Sequence, residues 1–425
     1  MSRPRPRLPI PKIDPDRPPP GPFQPGFWRS PLRSPRLTAI LGLVLLVGLP
    51  VVAITGLLSN DAYQPGLGGN ALGRDTGGPL DFYLFGWPSS PSWLYAFTQG
   101  LHVTLGLALF PVVLAKLWSV IPKLFEWPPV RSPAHALERA TLALLVGGAL
   151  FEFVTGILNI QYWYAFKFSF TQAHYYGAWV FIGALIAHVT IKLGTLRRSL
   201  TTREDVIAAA GEHGSLISPN PARATMSRRA LLTGVGGASA ILFLQGVGQS
   251  VGGPLRGLAF LLPRGRTKTG PLGFQVNKTW ASNGLPVSVV SDSWRLTVTG
   301  RTTVRLTREQ LMAMPHCTHS LPIACVEGWS TTQHWTGVPV TELAKLVGIT
   351  GPATLTSVSV EKSNYGSATL GHEQVSNGRT ILAYAVNGRP LPLDHGYPAR
   401  VIGPAIPGVH CTKWVSEMHF TELST

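Results

Sequence analysis

The sequence predicts an N-terminal all-α transmembrane helix bundle, four helices plus a fifth anchor helix, followed by a β-rich polar domain. Three observations predict it. Four long apolar runs and a weaker, glycine-rich fifth precede residue 252. Only 13% of the 425 residues are charged against 45% hydrophobic, with a mean hydropathy of +0.19, which argues against one ordinary soluble globule. Beyond about Arg264 the texture changes to alternating apolar and polar residues with turn signals. The excess of 36 Lys+Arg over 20 Asp+Glu, a formal +16, falls in blocks between the apolar runs. A nucleic-acid partner needs such charge gathered on one folded face, so the charge reads as membrane topology and no nucleic acid is expected.

Residues 1–36 hold twelve prolines and eight Lys/Arg. Such a segment buries too little surface to offset its ordering entropy and is expected to be a disordered cytoplasmic tail. From 37 to 59 the run LTAILGLVLLVGLPVVAITGLLS carries no charge, and about 20 apolar residues cross the hydrocarbon core. A signal peptide is the rival reading, but the run is long, starts late and lacks a small-residue cleavage site. Runs at 99–121, 140–160 and 174–196 complete a four-helix membrane domain over 37–197; a linker over 198–229 leads to the fifth helix at 230–251. The tail, the 122–139 stretch with Lys123, Arg131 and Arg139, and the 197–229 stretch with six arginines are basic. The 60–98 loop has Arg74 as its only base, and 161–173 has only Lys167. By the positive-inside rule the N-terminus is cytoplasmic, and after five spans residues 264–425 lie outside a bacterial plasma membrane. WRLTVTG (294–300) and ATLTSVSVEKS (353–363) typify the strands of that last domain, which at about 160 residues is large enough for its own core.

His102, His174 and His188 lie within or at the edges of the apolar runs, where an ionisable side chain is costly and points to function. His174 and His188 are 14 residues apart on one helix, so they point within about 40° of each other and sit roughly 21 Å apart along its axis. His102 and His174 each begin an inward-running helix and are placed to clamp one haem iron axially near the outer surface. This pattern resembles the four-helix cytochrome b subunits of the formate dehydrogenase gamma-subunit type, which carry two haems. The resemblance covers 37–197 and implies one haem b between His102 and His174, with His188 the ligand of a second. Helix one has no histidine to complete that second site, and His135 in the inner loop is a poor substitute. The alternatives are hydrogen bonding of these histidines across helices, or a quinone site lined by His188.

Ser227-Arg228-Arg229-Ala230-Leu231-Leu232 precedes the glycine-rich run TGVGGASAILFLQGVG. It resembles a twin-arginine export signal, whose machinery would carry out a domain already folded around its cofactor. A positive-inside flank would supply the same pair of arginines.

Three cysteines, Cys317, Cys325 and Cys411, are too few for a disulfide scaffold. Zinc is one reading of the His316-Cys317-Thr318-His319 to Cys325 stretch, but a Cys-x7-Cys gap fits none of the common knuckle spacings. Cys317 and Cys411 are either a disulfide formed in an oxidising compartment or two thiols. The run Ile323-Ala324-Cys325-Val326-Glu327-Gly328-Trp329-Ser330 is followed in order by WTGVPV (335–340), LAYAVNGRPLP (382–392), DHGYPAR (394–400) and Lys413-Trp414. These motifs resemble the molybdopterin domain of the sulfite oxidase family, and within it the branch of the bacterial methionine sulfoxide reductase catalytic subunit.

The resemblance implies an α+β fold over 264–425, a molybdenum–molybdopterin cofactor and Cys325 as the metal's protein ligand and catalytic residue. His395, Arg400 and Lys413 would hold the pterin and its phosphate, with Cys411 and Thr412 beside Lys413, and Asn277 in GFQVNKTW at an early pterin contact. That family's dimerisation domain is expected to be missing, since Thr425 follows soon after Lys413. Val326-Glu327-Gly328-Trp329 replaces the Ala-Gly-Asn-Arg-Arg type sequence that helps sulfite oxidases bind an anion. The implied activity is therefore reduction of an S-oxide or N-oxide, a small molecule or methionine sulfoxide, outside the membrane with electrons from the quinone pool through haem. The alternative is oxidation of a sulfur compound with electrons passed to the membrane. The expected partners are membrane lipid, quinone, the twin-arginine machinery and that substrate.

Overall fold

The computed structural model describes residues 17–24, 26–66, 83–201, 218, 220–263, 270–363 and 365–423. Among them five helices are long and apolar enough to cross a membrane: α1 Pro35–Asp61, α2 Leu94–Leu124, α3 Pro133–Ile160, α4 Phe170–Thr201 and α5 Arg228–Val251. Each outruns its apolar stretch, because polar residues at the ends continue the helix past the roughly 30 Å of hydrocarbon. Their outward faces carry Val47, Ile54, Leu144, Ile186 and Ile241, all exposed. Helices apolar all round are membrane spans or deeply buried, and these are not buried. Between α3 and α4 Trp163, Tyr164, Phe166 and Phe168 are also exposed, the composition of an interfacial aromatic belt.

The chain divides into two compact units. One comprises Met1–Gly48, Leu109–Phe151 and Gly177–Ser239. Its core joins Leu37 and Leu41 to Val112 and Ala115, with Leu231, Leu232 and Val235 against them. Residues 1–16 of the expected tail lie outside the described residues, and its second half packs on this unit. Arg33, 4% exposed, stacks 4.5 Å over the Trp118 ring and donates to the Trp118 carbonyl at 3.1 Å. Phe23 and Trp28 pack on Phe125 with ring centroids 5.5 and 5.7 Å apart. These aromatics supply burial that the proline-rich average composition conceals. Within the linker, α4 runs on to Thr201, residues 202–217 and 219 lie outside the described residues, and Ser227 caps α5 by accepting the Ala230 N–H at 3.1 Å. Arg228 and Arg229 therefore form the first turn of α5.

The second unit comprises Leu49–Ala108, Glu152–Tyr176 and Ala240–Thr425. Its C-terminal part is α+β. Strands β1 Pro65–Gly66, β2 Leu296–Thr299, β3 Thr303–Leu306, β6 Ala353–Ser359, β7 Ser367–Leu370 and β11 Val415–Glu422 form one sheet in the order β1-β7-β6-β11-β2-β3. Strands β4 Cys317–Ala324, β5 Ser330–Pro339, β8 Ile381–Val386 and β10 Arg400–Ile402 form the other in the order β10-β8-β5-β4, with β9 Arg389–Pro390 paired to β8. Helices α6 Arg308–Ala313, α7 Val340–Leu346 and α8 His372–Val375 are short. The sheets bury Leu296, Leu321, Trp335, Leu355, Leu382, Val401 and Met418 in one core. β11 pairs antiparallel with β6 and parallel with β2, which is why the strand pattern along the chain does not announce the sheet order.

The loop after α1 also belongs to this domain. Its Pro65–Gly66 strand extends the larger sheet by pairing with β7. The Trp87 indole donates to the Ala405 carbonyl at 2.7 Å, and the Gln374 amide donates to the Trp87 carbonyl at 3.1 Å.

Candidate functional site

Strand β4 ends one residue before Cys325, and a tight turn follows. The Cys325 N–H donates to the Trp329 carbonyl at 3.0 Å and the Gly328 N–H to the Cys325 carbonyl at 2.9 Å. Gly328 sits at φ +87°, a conformation that favours glycine. The Gly408 N–H donates to the Ala324 carbonyl at 2.7 Å, fixing the 403–412 segment beside the cysteine. Burial, the Glu327 carboxyl and a hydrogen bond with that carboxyl push the Cys325 thiol pKa well up, against backbone N–H groups of Glu327 and Val326 that favour the thiolate. A bound cation would reverse that balance and take the thiolate.

Of the residues expected to bind the pterin, Arg400 and Lys413 lie within electrostatic reach of Cys325, with His395 and Cys411 near Arg400. Arg400, 2% exposed, donates to the His395 carbonyl at 3.3 Å, and its Nε has no partner among the described residues. Burial lowers its pKa to about 10, with Cys411 and Cys325 close enough to oppose the shift. Lys413 donates to the Lys278 and Asp394 carbonyls, both at 2.7 Å. Burial, then Arg400, push its pKa well down. Gly396 lets the two cations approach: a Cβ there would lie 3.1 Å from the Cβ of Arg400 and 3.2 Å from that of Lys413. Thr412 pairs its hydroxyl with Ser357 at 2.8 Å, and the Asn277 side chain accepts from the Lys278 N–H at 3.0 Å. Cys317, Cys325 and Cys411 are free thiols, with Cys317 at the start of β4 and Cys411 buried near Arg400. The disulfide alternative for Cys317 and Cys411 is therefore not realised.

His395 is buried, stacks on Phe274 at 3.8 Å and donates from Nε2 to the Pro271 carbonyl at 2.7 Å. Burial drives its pKa down to about 3, against about 6.5 in an unfolded chain. The unfolded state then binds more protons between those values, so stability present above pH 6.5 is lost as pH falls towards 3. The slope is at most about 1.4 kcal/mol per pH unit. His395→Gln is expected to flatten thermal unfolding midpoints of cofactor-free protein between pH 7 and 4; equal slopes in both proteins would contradict this.

Buried cations with only carbonyl partners are costly, and a phosphate or pterin would compensate them with charge-assisted bonds. Gln275, missed in the sequence, adds an amide 3% exposed with neither end partnered among the described residues. The donor set fits an anionic, heteroatom-rich cofactor. Among the described residues no group of three or more His, Cys, Asp or Glu is arranged to hold a metal ion.

Helix ends and the α1–α2 loop also reach the cysteine turn, which the sequence did not reveal. The Gln99 amide donates to the Val326 carbonyl at 2.6 Å, Gln249 to the Glu327 carbonyl, and the Ser250 hydroxyl to the Gly328 carbonyl at 2.8 Å. Tyr63 and Tyr95 share a hydroxyl hydrogen bond of 3.1 Å within electrostatic reach of Cys325 and Glu327. Tyr95 and Ala324 belong to one buried cluster with Trp87. A Cβ on Gly328 would lie 2.7 Å from the Val103 Cβ. Gly328→Ala is therefore expected to cost roughly 1–3 kcal/mol through backbone strain and overpacking. A drop in unfolding midpoint checks this, and an unchanged midpoint would contradict the close seating.

In the same unit the His102 and His174 rings lie 6.1 Å apart at 88°. His102 Nδ1 is 2.9 Å from the Val52 carbonyl, and His174 Nδ1 is 3.0 Å from the Thr155 hydroxyl and 3.1 Å from the Glu152 carboxylate. Both Nδ1 atoms are engaged, and neither Nε2 atom is used in these contacts. A Cβ on Gly56 would lie 2.7 Å from His102 Cε1, so glycine makes room for that ring. His188 lies in the other unit near Lys116, Lys192 and Glu138, with no histidine ring against it among the described residues. His135 accepts the Arg131 N–H at 3.1 Å. Among the described residues no helix brings another imidazole to His188.

Residues 283–424 match the family described as oxidoreductase molybdopterin binding domain. Over 132 residues the chain is 30% identical to "Uncharacterized oxidoreductase YuiH" of Bacillus subtilis, covering 30% of this chain and 66% of that one. It is 31% identical over 134 residues to "Putative protein-methionine-sulfoxide reductase subunit YedZ1" of Azospira oryzae, covering 30% and 49%. It is 32% identical over 113 residues to "Protein-methionine-sulfoxide reductase catalytic subunit MsrP" of Xanthomonas campestris, covering 24% and 35%. The chain thus spans less than two thirds of the length of each of these relatives. With its α+β fold and its buried donors, the C-terminal part of the chain carries an oxidoreductase molybdopterin binding domain over residues 283–424, and the protein that carries it is an enzyme.

Proposed function

We propose that the chain is a membrane-bound reductase that removes an oxygen atom from an S-oxide or N-oxide outside the membrane, with electrons drawn from quinol through one haem b. The observation that carries this reading is the seating of the Cys325 turn on the helices that hold His102. Gln99, which binds the Val326 carbonyl, precedes His102 by three residues, about 4.5 Å of helix rise. Val103, against Gly328, is the next residue after His102. One chain thereby keeps donor and acceptor sites in permanent proximity, which replaces a bimolecular encounter with a fixed one.

Cys325 holds the molybdenum, while Arg400, Lys413, His395, Gln275 and Asn277 bind the pterin and its phosphate beside Cys411 and Thr412. His102 and His174 hold the haem. The two imidazole rings, 6.1 Å apart between centroids, would supply the iron's protein ligands. When bound, the molybdenum–pterin group supplies two-electron oxygen-atom transfer and the haem one-electron delivery. Glu327, buried beside Cys325 with Oε2 unpartnered among the described residues, places a carboxyl where an anionic substrate such as sulfite would need a cation. A neutral oxide fits better. Tyr63 and Tyr95 carry two hydroxyl protons and share one bond, which leaves one O–H for an oxide oxygen. Two of the relatives bear methionine sulfoxide reductase names, in keeping with this substrate class.

The basic N-terminal segment and Arg228-Arg229 at the start of α5 support a cytoplasmic N-terminus and a catalytic domain outside a bacterial plasma membrane, and the paired arginines support export through the twin-arginine machinery. Elemental mass spectrometry of the detergent-purified chain, from a host that makes the pterin, should count one molybdenum and one iron. Reduced viologen and menaquinol should each drive reduction of methionine sulfoxide, dimethyl sulfoxide or trimethylamine N-oxide. Molybdenum without iron would reduce the helices to an anchor. Turnover only in the oxidising direction, with sulfite or another sulfur compound, would favour the reverse reaction.

A further inference from the structure

Glu152 is the only ionisable residue in the apolar run 140–160, where a carboxyl carries an insertion cost of roughly 2.5–3.5 kcal/mol. A helix keeps such a residue only when its partner repays that cost. The side chain turns away from the lipid-facing surface of α3 and is 8% exposed. Its Oε2 lies 3.1 Å from His174 Nδ1, and its Oε1 has no partner among the described residues. Thr155 and Gly156, three and four residues further on, complete the same face of α3. The Thr155 hydroxyl is 3.0 Å from the same Nδ1, and Gly156 leaves the His174 ring room, since a Cβ there would lie 3.6 Å from His174 Cε1. His102 has a different setting: its Nδ1 meets a neutral carbonyl, that of Val52, at 2.9 Å. The two imidazoles of one pair are thus unequally supported, one by a neutral acceptor and one by an acid.

We propose that Glu152 is a positioning residue for His174, a carboxylate acceptor on Nδ1–H that strengthens this imidazole as an iron ligand and holds the haem at a lower reduction potential than two carbonyl-bonded imidazoles would give. This rests on the reading of His102 and His174 as haem ligands. An acceptor on the outer nitrogen of a metal-bound histidine fixes its tautomer and raises its basicity, and a charged acceptor does so more strongly than a neutral one. A more basic ligand favours the ferric over the ferrous state, which lowers the potential. Thr155 shares the Nδ1 proton but brings no charge, so it orients the ring without the electronic effect.

Redox titration of the full-length, haem-loaded chain, followed by its absorbance, tests this without using turnover. Glu152→Gln keeps a hydrogen-bond acceptor of the same size and removes the charge. It is expected to retain haem stoichiometry and the low-spin spectrum while raising the midpoint, so that the oxidised-to-reduced ratio at the wild-type midpoint falls about tenfold, a shift of about 59 mV for one electron. Glu152→Asp should rise by less, and Thr155→Val should not rise. A Glu152→Gln midpoint within a twofold change of that ratio, or one matched by Thr155→Val, would overturn the proposal. Should Glu152→Gln bind no haem, Glu152→Ala, which also removes the charge, decides, and a midpoint equal to wild type overturns the proposal. A wild-type chain that binds no haem would instead end the haem reading itself and leave Glu152 and His174 as an ion pair.

Discussion

Replacing Cys325 by serine is expected to reduce oxide turnover at least about a thousandfold, the scale of loss seen when a residue central to the chemistry is removed, while haem content stays intact. The substitution changes one buried atom. It leaves the 325–328 turn with its backbone bonds from Cys325 to Trp329 and from Gly328 to Cys325, and the core around Leu321 and Trp335 is untouched. A hydroxyl, however, is a hard ligand that stays protonated where a thiolate would bind a soft metal. Viologen-driven turnover, molybdenum content and haem absorbance of the same preparation separate the outcomes. Retained turnover would remove Cys325 from the metal's coordination, and joint loss of turnover and haem would point to misfolding.

His102→Ala and His174→Ala should each abolish the haem absorbance and quinol-driven turnover, yet leave viologen-driven turnover within about threefold of wild type, since the dye reaches the catalytic domain directly. Each variant removes one of two axial ligands, and for His174 it also strands the Glu152 carboxyl in an apolar setting. That stranded acid is expected to make His174→Ala the less stable of the two, by roughly 1–3 kcal/mol. Haem retained in both variants, or quinol-driven turnover that survives, would return the helices to the role of an anchor.

The helices and the cysteine motif were legible in the sequence because both are local signals. An apolar run of twenty or more residues has few alternatives to a membrane span, and the motifs from 323 to 414 keep their order along the chain. The pairing of His102 with His174 was legible too, since topology alone places both at one end of the bundle. The contacts that assemble the site were not. Gln99 meets Val326 across 227 residues of sequence, and Trp87 meets Ala405 across 318. No periodicity encodes a partner at that separation. Gln275 and Tyr63 give no local sign, because an amide or a phenol is ordinary in any loop until its burial is known. Glu152, a lone acid in an apolar run, carries a local signal, but its partner His174 appears only in the structure. At His188 the opposite holds, with a spacing suited to a ligand but no imidazole opposite it among the described residues.

The two-residue strand Pro65–Gly66 on the edge of β7 bears on how the protein can be taken apart. A fragment cut near residue 264 keeps the family motifs but loses that strand, the Trp87 anchor and the Tyr63–Tyr95 pair. It is left with a bare sheet margin, and unpaired strand margins recruit other chains. The boundary suggested by the change in sequence texture is therefore not a seam along which the molecule separates. The loop also sets a condition on biogenesis: residues 65–66 and 367–370 must end on the same side of the bilayer before the sheet is whole. A chain threaded with the wrong topology would expose the defect at once, so the smallest strand in the structure doubles as a proofreading contact between insertion and folding.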